Sequence, residues 1–271
     1  MILNRLGKKK RYAKHYIALF PEHTFYGEPF FGAGGMFFAK PKAKYNVVAD
    51  LSDDVVNLFT VITEHLWDFE YYLASTPVSQ SIIDLWQKQV PVCPIWRAVR
   101  FVCLSNYTFL GKGGTLKVGF ENAKKIALQN IKTTYDFINK DVTFIRRDVK
   151  NFLQSIAWKN HGNYSIRKKQ CFIYLDPPYC TTSNNYDDVP AWSKQDFMDM
   201  LDIYCNSGIK IAISEYDSSF VLDMAKKYEL QVNYLDIGQS SMVRLEKRKK
   251  GKTEILLTNY ATKKQLKIKF S

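Results

Sequence analysis

Cys171-Phe172-Ile173-Tyr174-Leu175-Asp176-Pro177-Pro178-Tyr179 is an apolar run closed by an acid, two prolines and an aromatic. The run reads as a buried strand, so the acid and the prolines stand where a strand ends. Strand-end loops carry the chemistry of open α/β folds. Two consecutive prolines stiffen the backbone and remove two amide donors, which leaves carbonyls free to accept bonds from a substrate. Asp176 and Tyr179 then flank one small, rigid pocket.

An aspartate, a prolyl carbonyl and an aromatic face suit a planar heterocycle carrying an exocyclic amine: the ring stacks and the amine donates. Such an amine is a weak nucleophile because its lone pair is delocalised into the ring. Hydrogen bonds from both N–H groups to oxygen acceptors draw it towards a pyramidal geometry, from which it can attack a sulfonium-borne methyl in line. Taken alone, the same four residues are equally a plain strand-ending turn, because Asp and Pro are common turn residues.

Outward from this stretch, β and α patterns alternate. Residues 8–20 place Tyr12, Tyr16, Ile17, Leu19 and Phe20 at helical spacing and stop at Pro21, which predicts an amphipathic first helix. A strand over 24–31 runs into Gly32-Ala33-Gly34-Gly35, and Met36 to Ala39 open a helix behind that turn. Residues 45–49 read as a second strand ending at Asp50, with Ser52 or Asp53 capping a helix to about Tyr72. From about 75 to 141 the pattern turns helical (81–89, 94–107, 122–139) around the loop Gly111-Lys112-Gly113-Gly114. Strands resume at 142–146, 172–175, 209–214, 231–237 and 254–260, with helices near 149–158, 193–206 and 218–227. Ser193-Lys194-Gln195-Asp196 resembles a capping box. The chain is thus an α/β sheet interrupted by a helical insertion.

A length of 271 residues with 46% hydrophobic and 24% charged side chains suits one large globular domain, or one domain with an insertion. Lys and Arg outnumber Asp and Glu by 39 to 26, a net charge of +13 that favours a polyanionic partner. Five cysteines without a Cys-x-x-Cys pair suggest neither a zinc site nor a disulfide framework. The basic start is not followed by an apolar h-region, and no apolar stretch has membrane-spanning length, so a cytoplasmic protein is expected. The four histidines, His15, His23, His65 and His161, form no metal-spaced pair and flank no nucleophile motif.

Glu28-Pro29-Phe30-Phe31-Gly32-Ala33-Gly34-Gly35 puts glycines where backbone passes close to a ligand, and Asp50 ends the next strand about 20 residues on. This suits an adenosine whose ribose hydroxyls meet Asp50; a tight strand-to-helix turn without ligand is the alternative. Gly-x-x-x-x-Gly-Lys-Ser/Thr is absent, which argues against a phosphate loop. Asp148 is placed both to cap the following helix and to accept the adenine amine of such a ligand. Lys247-Arg248-Lys249-Lys250-Gly251-Lys252 reads as a basic hairpin tip, either solvated or touching phosphates. Lys112, Lys117, Lys124 and Lys125 are further candidates for a nucleic-acid backbone.

With the glycine loop, Asp50 and Asp-Pro-Pro-Tyr in this order, the chain resembles the Dam-like DNA adenine-N6 methyltransferases of the amino-first arrangement, over nearly its whole length. Lys9 resembles that family's N-terminal cofactor lysine, Glu28 to Gly35 its cofactor glycine motif with Pro29 and Phe30, Asp50 its ribose acid, and Asp176 to Tyr179 its catalytic motif. Residues 213–217 and 254–260 resemble its later strands. The resemblance implies a Rossmann-like methyltransferase sheet, mostly parallel with a C-terminal antiparallel hairpin of 231–237 and 254–260, plus a helical target-recognition insertion. Residues 1–74 and 141–271 are then the catalytic domain and 75–140 the insertion. It further implies S-adenosylmethionine as cofactor, double-stranded DNA as partner and a flipped adenine as target. Arg5 stands where the family usually has an aromatic, and Phe109-Leu110-Gly111 replaces a Phe-Asn-Gly core, so GATC recognition is not carried over.

The catalytic group expected is therefore Asp176, Pro177, Pro178 and Tyr179. The cofactor group is Lys9, Glu28, Pro29, Phe30, Gly32, Gly34, Asp50, Asp148 and Asp176; the DNA contacts are Lys112, Lys117, Arg248, Lys249 and Lys250; no metal is expected. A cognate restriction endonuclease and a monomeric state complete the expectations. The alternatives are methylation of cytosine N4 or of an RNA base, and a catalytically silent DNA-binding relative. A nicotinamide oxidoreductase is disfavoured because Gly32, Gly34 and Gly35 stand too close for Gly-x-Gly-x-x-Gly.

Overall fold

The computed structural model describes residues 2–3, 9–111, 114–117, 123–138, 141–157, 167–180, 189–234 and 253–262, with backbone only at 9–12 and 110. Among the described residues, seven strands form one sheet: β1 (Phe25–Glu28), β2 (Tyr45–Asp50), β3 (Val142–Arg146), β4 (Cys171–Leu175), β5 (Lys210–Tyr216), β6 (Gln231–Tyr234) and β7 (Glu254–Thr258). Their order across the sheet is β3-β2-β1-β4-β5-β7-β6. The first five run parallel, and β7 lies antiparallel between β5 and β6. The strand order reverses between β1 and β4, which opens a crevice outside their carboxyl ends.

The apolar run at 171–175 is fully buried because both of its faces are covered. Phe172 and Tyr174 enter one core, with Tyr26, Phe37 and Phe59. Cys171, Ile173 and Leu175 enter the other, with Phe197, Leu201 and Ile211. The two-residue pleat makes this division, and β7 repeats it with Leu256 on one side and Ile255 and Leu257 on the other.

The helices are α1 (Lys9–Ile17), α2 (Asp53–Glu64), α3 (Leu66–Ser75), α4 (Gln80–Lys88), α5 (Pro94–Tyr107), α6 (Ala123–Ile138), α7 (Val149–Phe152), α8 (Lys194–Cys205) and α9 (Ser219–Lys227). Ser52, Ser79 and Ser218 cap α2, α4 and α9 through their side chains, and Ser193 with Asp196 forms the expected capping box on α8. Helices α4 to α6, from the 75–140 segment, share one core with α2, α3 and the sheet, through Ile83, Val99, Val102, Ile131 and Ile138. Arg97 of α5 ties the first turn of α2 by pairing with Asp53 at 2.7 Å and Asp54 at 2.9 Å.

Three local expectations differ from the fold. The helix expected from 52 to 72 is two, α2 and α3, which meet at His65 (φ −132°, ψ 40°); its amide bonds Val61 while its carbonyl receives Phe69. No Pro or Gly marks that break, so side-chain periodicity runs through it. The helix expected behind the glycine turn is a single 3₁₀ turn, Phe37–Ala39. Pro41 forces Lys40 into an extended conformation (φ −117°, ψ 157°) and stops it. The helix expected near 149–158 is only α7 followed by a 3₁₀ turn at Leu153–Ser155.

Candidate active site

Four acids occupy the carboxyl ends of four adjacent parallel strands. Glu28 is the last residue of β1 and Asp50 the last of β2; Asp148 follows β3 by two residues, and Asp176 follows β4 directly. Parallel pairing puts equivalent strand ends side by side, which lines up these acids along one edge of the sheet.

Asp50 holds the glycine turn as well as facing the edge. Its Oδ2 accepts from the Gly32 amide at 2.7 Å and its Oδ1 from the Ser52 amide at 2.9 Å, while Phe31 N donates to Ala49 O at 2.9 Å. Gly32 (φ +52°) and Gly34 (φ +68°) both adopt the left-handed conformation that disfavours a side chain. A Cβ on Gly34 would lie 2.5 Å from the Phe38 ring and 2.7 Å from Phe31, whereas one on Gly32 would meet nothing within 4 Å. Gly34 is therefore a packing glycine, and Gly32 leaves open space in front of the turn.

Glu28 is buried, and its Oε2 accepts from the Tyr26 hydroxyl at 2.6 Å. Burial lifts its carboxyl to about 8; the Tyr26 bond opposes this, and the negative charge of Asp176 adds to it. Lys40, also buried, sits 4.1 Å above the Tyr26 ring and donates to Pro41 O at 2.8 Å. Burial draws its amine down to about 8, against the pull of Glu28. Asp148 caps α7, accepting from Lys150 N at 2.7 Å.

The Asp-Pro-Pro-Tyr bend is held by β5 and β7. Ser214 Oγ donates to Asp176 Oδ1 at 2.7 Å and accepts from the Tyr174 hydroxyl at 3.0 Å. Glu215, fully buried, accepts from Cys180 N at 2.8 Å and Tyr216 N at 2.6 Å. The Tyr179 ring meets Tyr216 edge-on at 4.4 Å, and its hydroxyl donates to Glu254 Oε1 at 2.7 Å. Burial, then the charges of Asp176 and Glu254, raise the Tyr179 phenol so far that it stays protonated. Phe30, after β1, packs edge-on against Trp192 at 5.3 Å.

The structure thus brings together Glu28, Pro29, Phe30, Gly32, Gly34, Asp50, Asp148 and Asp176 to Tyr179 at one sheet edge. Lys117 lies apart, between α5 and α6, where its amide donates to Tyr107 O at 2.6 Å. Lys112, Arg248, Lys249, Lys250 and the side chain of Lys9 lie outside the described residues. Sequence reasoning assigned no role to Tyr16, Lys40, Ser214, Glu215 or Glu254. For Ser214 and Glu215 a signal existed: they close the largely apolar run Ile209 to Ile213, as Asp176 closes its own. Among the described residues, no cluster of His, Cys, Asp and Glu is arranged to hold a metal, and no helix is long and apolar enough to cross a membrane.

A doubly wound sheet with an antiparallel seventh strand, a glycine turn after β1 and an Asp-Pro-Pro-Tyr bend after β4 together form a Rossmann-like fold of the kind found in methyltransferases. The chain belongs to the D12 class N6 adenine-specific DNA methyltransferase family, whose model matches residues 6–249. It is 34% identical over 117 residues to modification methylase StsI of Streptococcus sanguinis. That match covers 38% of this chain and 18% of the relative, so the chain spans a small part of the curated protein it matches.

Proposed function

We propose that this chain methylates the N6 amine of an adenine flipped out of duplex DNA, with S-adenosylmethionine as donor. The single observation that carries this reading is the row of four acids beside the open face of Gly32, with the Asp-Pro-Pro-Tyr bend at its end. Such an edge suits a ligand with ribose hydroxyls, an adenine amine and two cationic groups: hydroxyls and amines donate to carboxyl oxygens, and the aspartates of the row offset an ammonium and a sulfonium, while Glu28 keeps its proton. Glu28, Pro29, Phe30, Gly32, Asp50, Asp148 and Asp176 would line it, with Gly34 shaping the turn behind them and Lys9 at the amino end. When bound, the cofactor supplies an electrophilic methyl group and leaves as a neutral thioether.

The residues of the chain do the rest. Asp176 and the Pro177 carbonyl accept from the two N–H groups of the adenine amine, which localises its lone pair towards the methyl. Positive charge develops on N6 as its new bond forms, next to the Asp176 carboxylate, and N6 then gives up one proton to solvent to restore neutrality. Ser214 fixes one oxygen of Asp176 and leaves the carboxylate little freedom to turn. Tyr179 stacks on the extruded ring, and Pro178 keeps the bend rigid. Positioning and electrostatics of this kind supply the acceleration without a metal.

Residues 75–140 are assigned to target recognition and 1–74 with 141–271 to catalysis. Lys112, Lys117, Arg248, Lys249 and Lys250 are assigned to DNA phosphates, in keeping with the net charge of +13. A monomer in the cytoplasm that works beside a cognate endonuclease fits this role. Incubating unmethylated plasmid with methyl-labelled cofactor, then mapping modified bases by single-molecule sequencing, tests the reading. Label on adenine N6 at a defined sequence is expected; label on cytosine only, or on RNA but not DNA, overturns it.

A further inference from the structure

We infer that Glu254 is a positioning residue for the stacking ring: its carboxylate holds Tyr179 by the phenol hydroxyl and so sets the plane that the ring offers to the extruded adenine. The inference rests on the role given above to Tyr179. β7 runs against the parallel strands, so its first residue, not its last, reaches the edge where they end. In register, Glu254 stands opposite Tyr216, the last residue of β5. Its two oxygens take different phenols. Oε1 accepts from Tyr179 at 2.7 Å and Oε2 from Tyr16 of α1 at 3.2 Å.

Tyr16 is fully buried and meets the Tyr174 ring edge-on at 6.2 Å, and Tyr174 holds Ser214, which holds Asp176. One carboxylate therefore joins the stacking ring to the framework that aims the catalytic acid. The Tyr179 ring is restrained twice: Tyr216 packs against it at 4.4 Å, and Glu254 anchors its far end. Packing limits the tilt of a ring, while a bond at its para position stops it swinging about Cα–Cβ. An acid at an edge that faces DNA opposes phosphate, and two phenol donors give it a local reason to be there.

The test uses a duplex that carries the mapped target adenine, with single-turnover methyl transfer at saturating cofactor. Glu254→Ala is expected to slow transfer by about tenfold to a hundredfold, the scale of a small misplacement at a reacting centre. Cofactor affinity by calorimetry should stay within about twofold, unlike the outcome of general loosening. Glu254→Gln, whose carbonyl still accepts from Tyr179, should recover most of the rate. Tyr179→Phe, which keeps the ring, should be slowed as much as Glu254→Ala, and adding Glu254→Ala to it should cost no more than about twofold further. With 2-aminopurine in place of the target adenine, Glu254→Ala should change the emission of the flipped base, since stacking quenches it. Full rate in Tyr179→Phe, or costs that multiply in the double variant, would overturn the inference. Full rate in Tyr179→Ala would instead overturn the stacking role itself, so the two failures are distinct.

Discussion

Replacing Ser214 by alanine removes one hydroxyl that joins Tyr174 to Asp176 and also reaches Leu175 O at 3.4 Å. The Tyr174 hydroxyl, fully buried, loses its acceptor at 3.0 Å, and the Asp176 carboxylate loses a donor at 2.7 Å. Stranding a buried donor costs about 1–3 kcal/mol, and a bond to a charged group contributes about 1.5–3 kcal/mol. Because both partners share one oxygen the two do not add in full, and about 3 kcal/mol of stability is expected to be lost. At about 2–4 °C per kcal/mol for a chain of this size, the melting temperature should fall by about 6–12 °C. Asp176 would also be free to turn, and single-turnover methyl transfer should drop by about a hundredfold. The double variant Ser214→Ala with Tyr174→Phe separates the two effects, since removing both polar partners leaves nothing stranded. It should regain part of the melting temperature and none of the turnover. If it regained turnover in step with stability, Ser214 would not act on Asp176. A wild-type melting temperature for Ser214→Ala alone would refute the buried bond.

The glycine turn offers a paired contrast. Gly34→Ala combines left-handed backbone with a Cβ 2.5 Å from the Phe38 ring, and should lose about 3 kcal/mol in denaturant unfolding. Gly32→Ala should lose only about 1 kcal/mol of stability yet weaken cofactor binding in a calorimeter, because its Cβ enters the open face of the turn; unchanged affinity would remove Gly32 from the cofactor site. Glu28, with its carboxyl raised from 4.5 to about 8, keeps a proton in the folded protein that the unfolded chain gives up. Its stabilising share is therefore present at low pH and declines as pH rises towards 8, and Glu28→Gln should flatten the stability curve over that window; an unchanged slope would argue against the buried acid. Asp176→Ala should keep cofactor binding within about tenfold while transfer falls by about 10²–10³-fold, and full activity would refute its role.

Local pattern made much of the fold legible. α5 spans Pro94–Tyr107 as its spacing and its leading proline predict, and β3 spans Val142–Arg146, because short-range periodicity and Pro placement act within a few residues. The break at His65 was not legible, since the backbone turns there without any residue that requires it. At the site, Asp50 and Asp176 could be picked out because each closes an apolar run. That Asp50 also grips the Gly32 amide could not, because the bond spans 18 residues and depends on how β1 and β2 lie side by side.

The chain alone determines which residues end its strands, and therefore that acids, glycines and a proline-stiffened bend must meet wherever those ends gather. Only the tertiary structure decides what holds them. Glu254 looks from its sequence like one acid after a basic run, yet it receives Tyr16 from 238 positions away and Tyr179 from 75. An antiparallel strand inserted beside β5 makes that meeting. Pairing between strands is a property of the whole sheet, with each partner chosen by the burial of all the others, and no local stretch contains it.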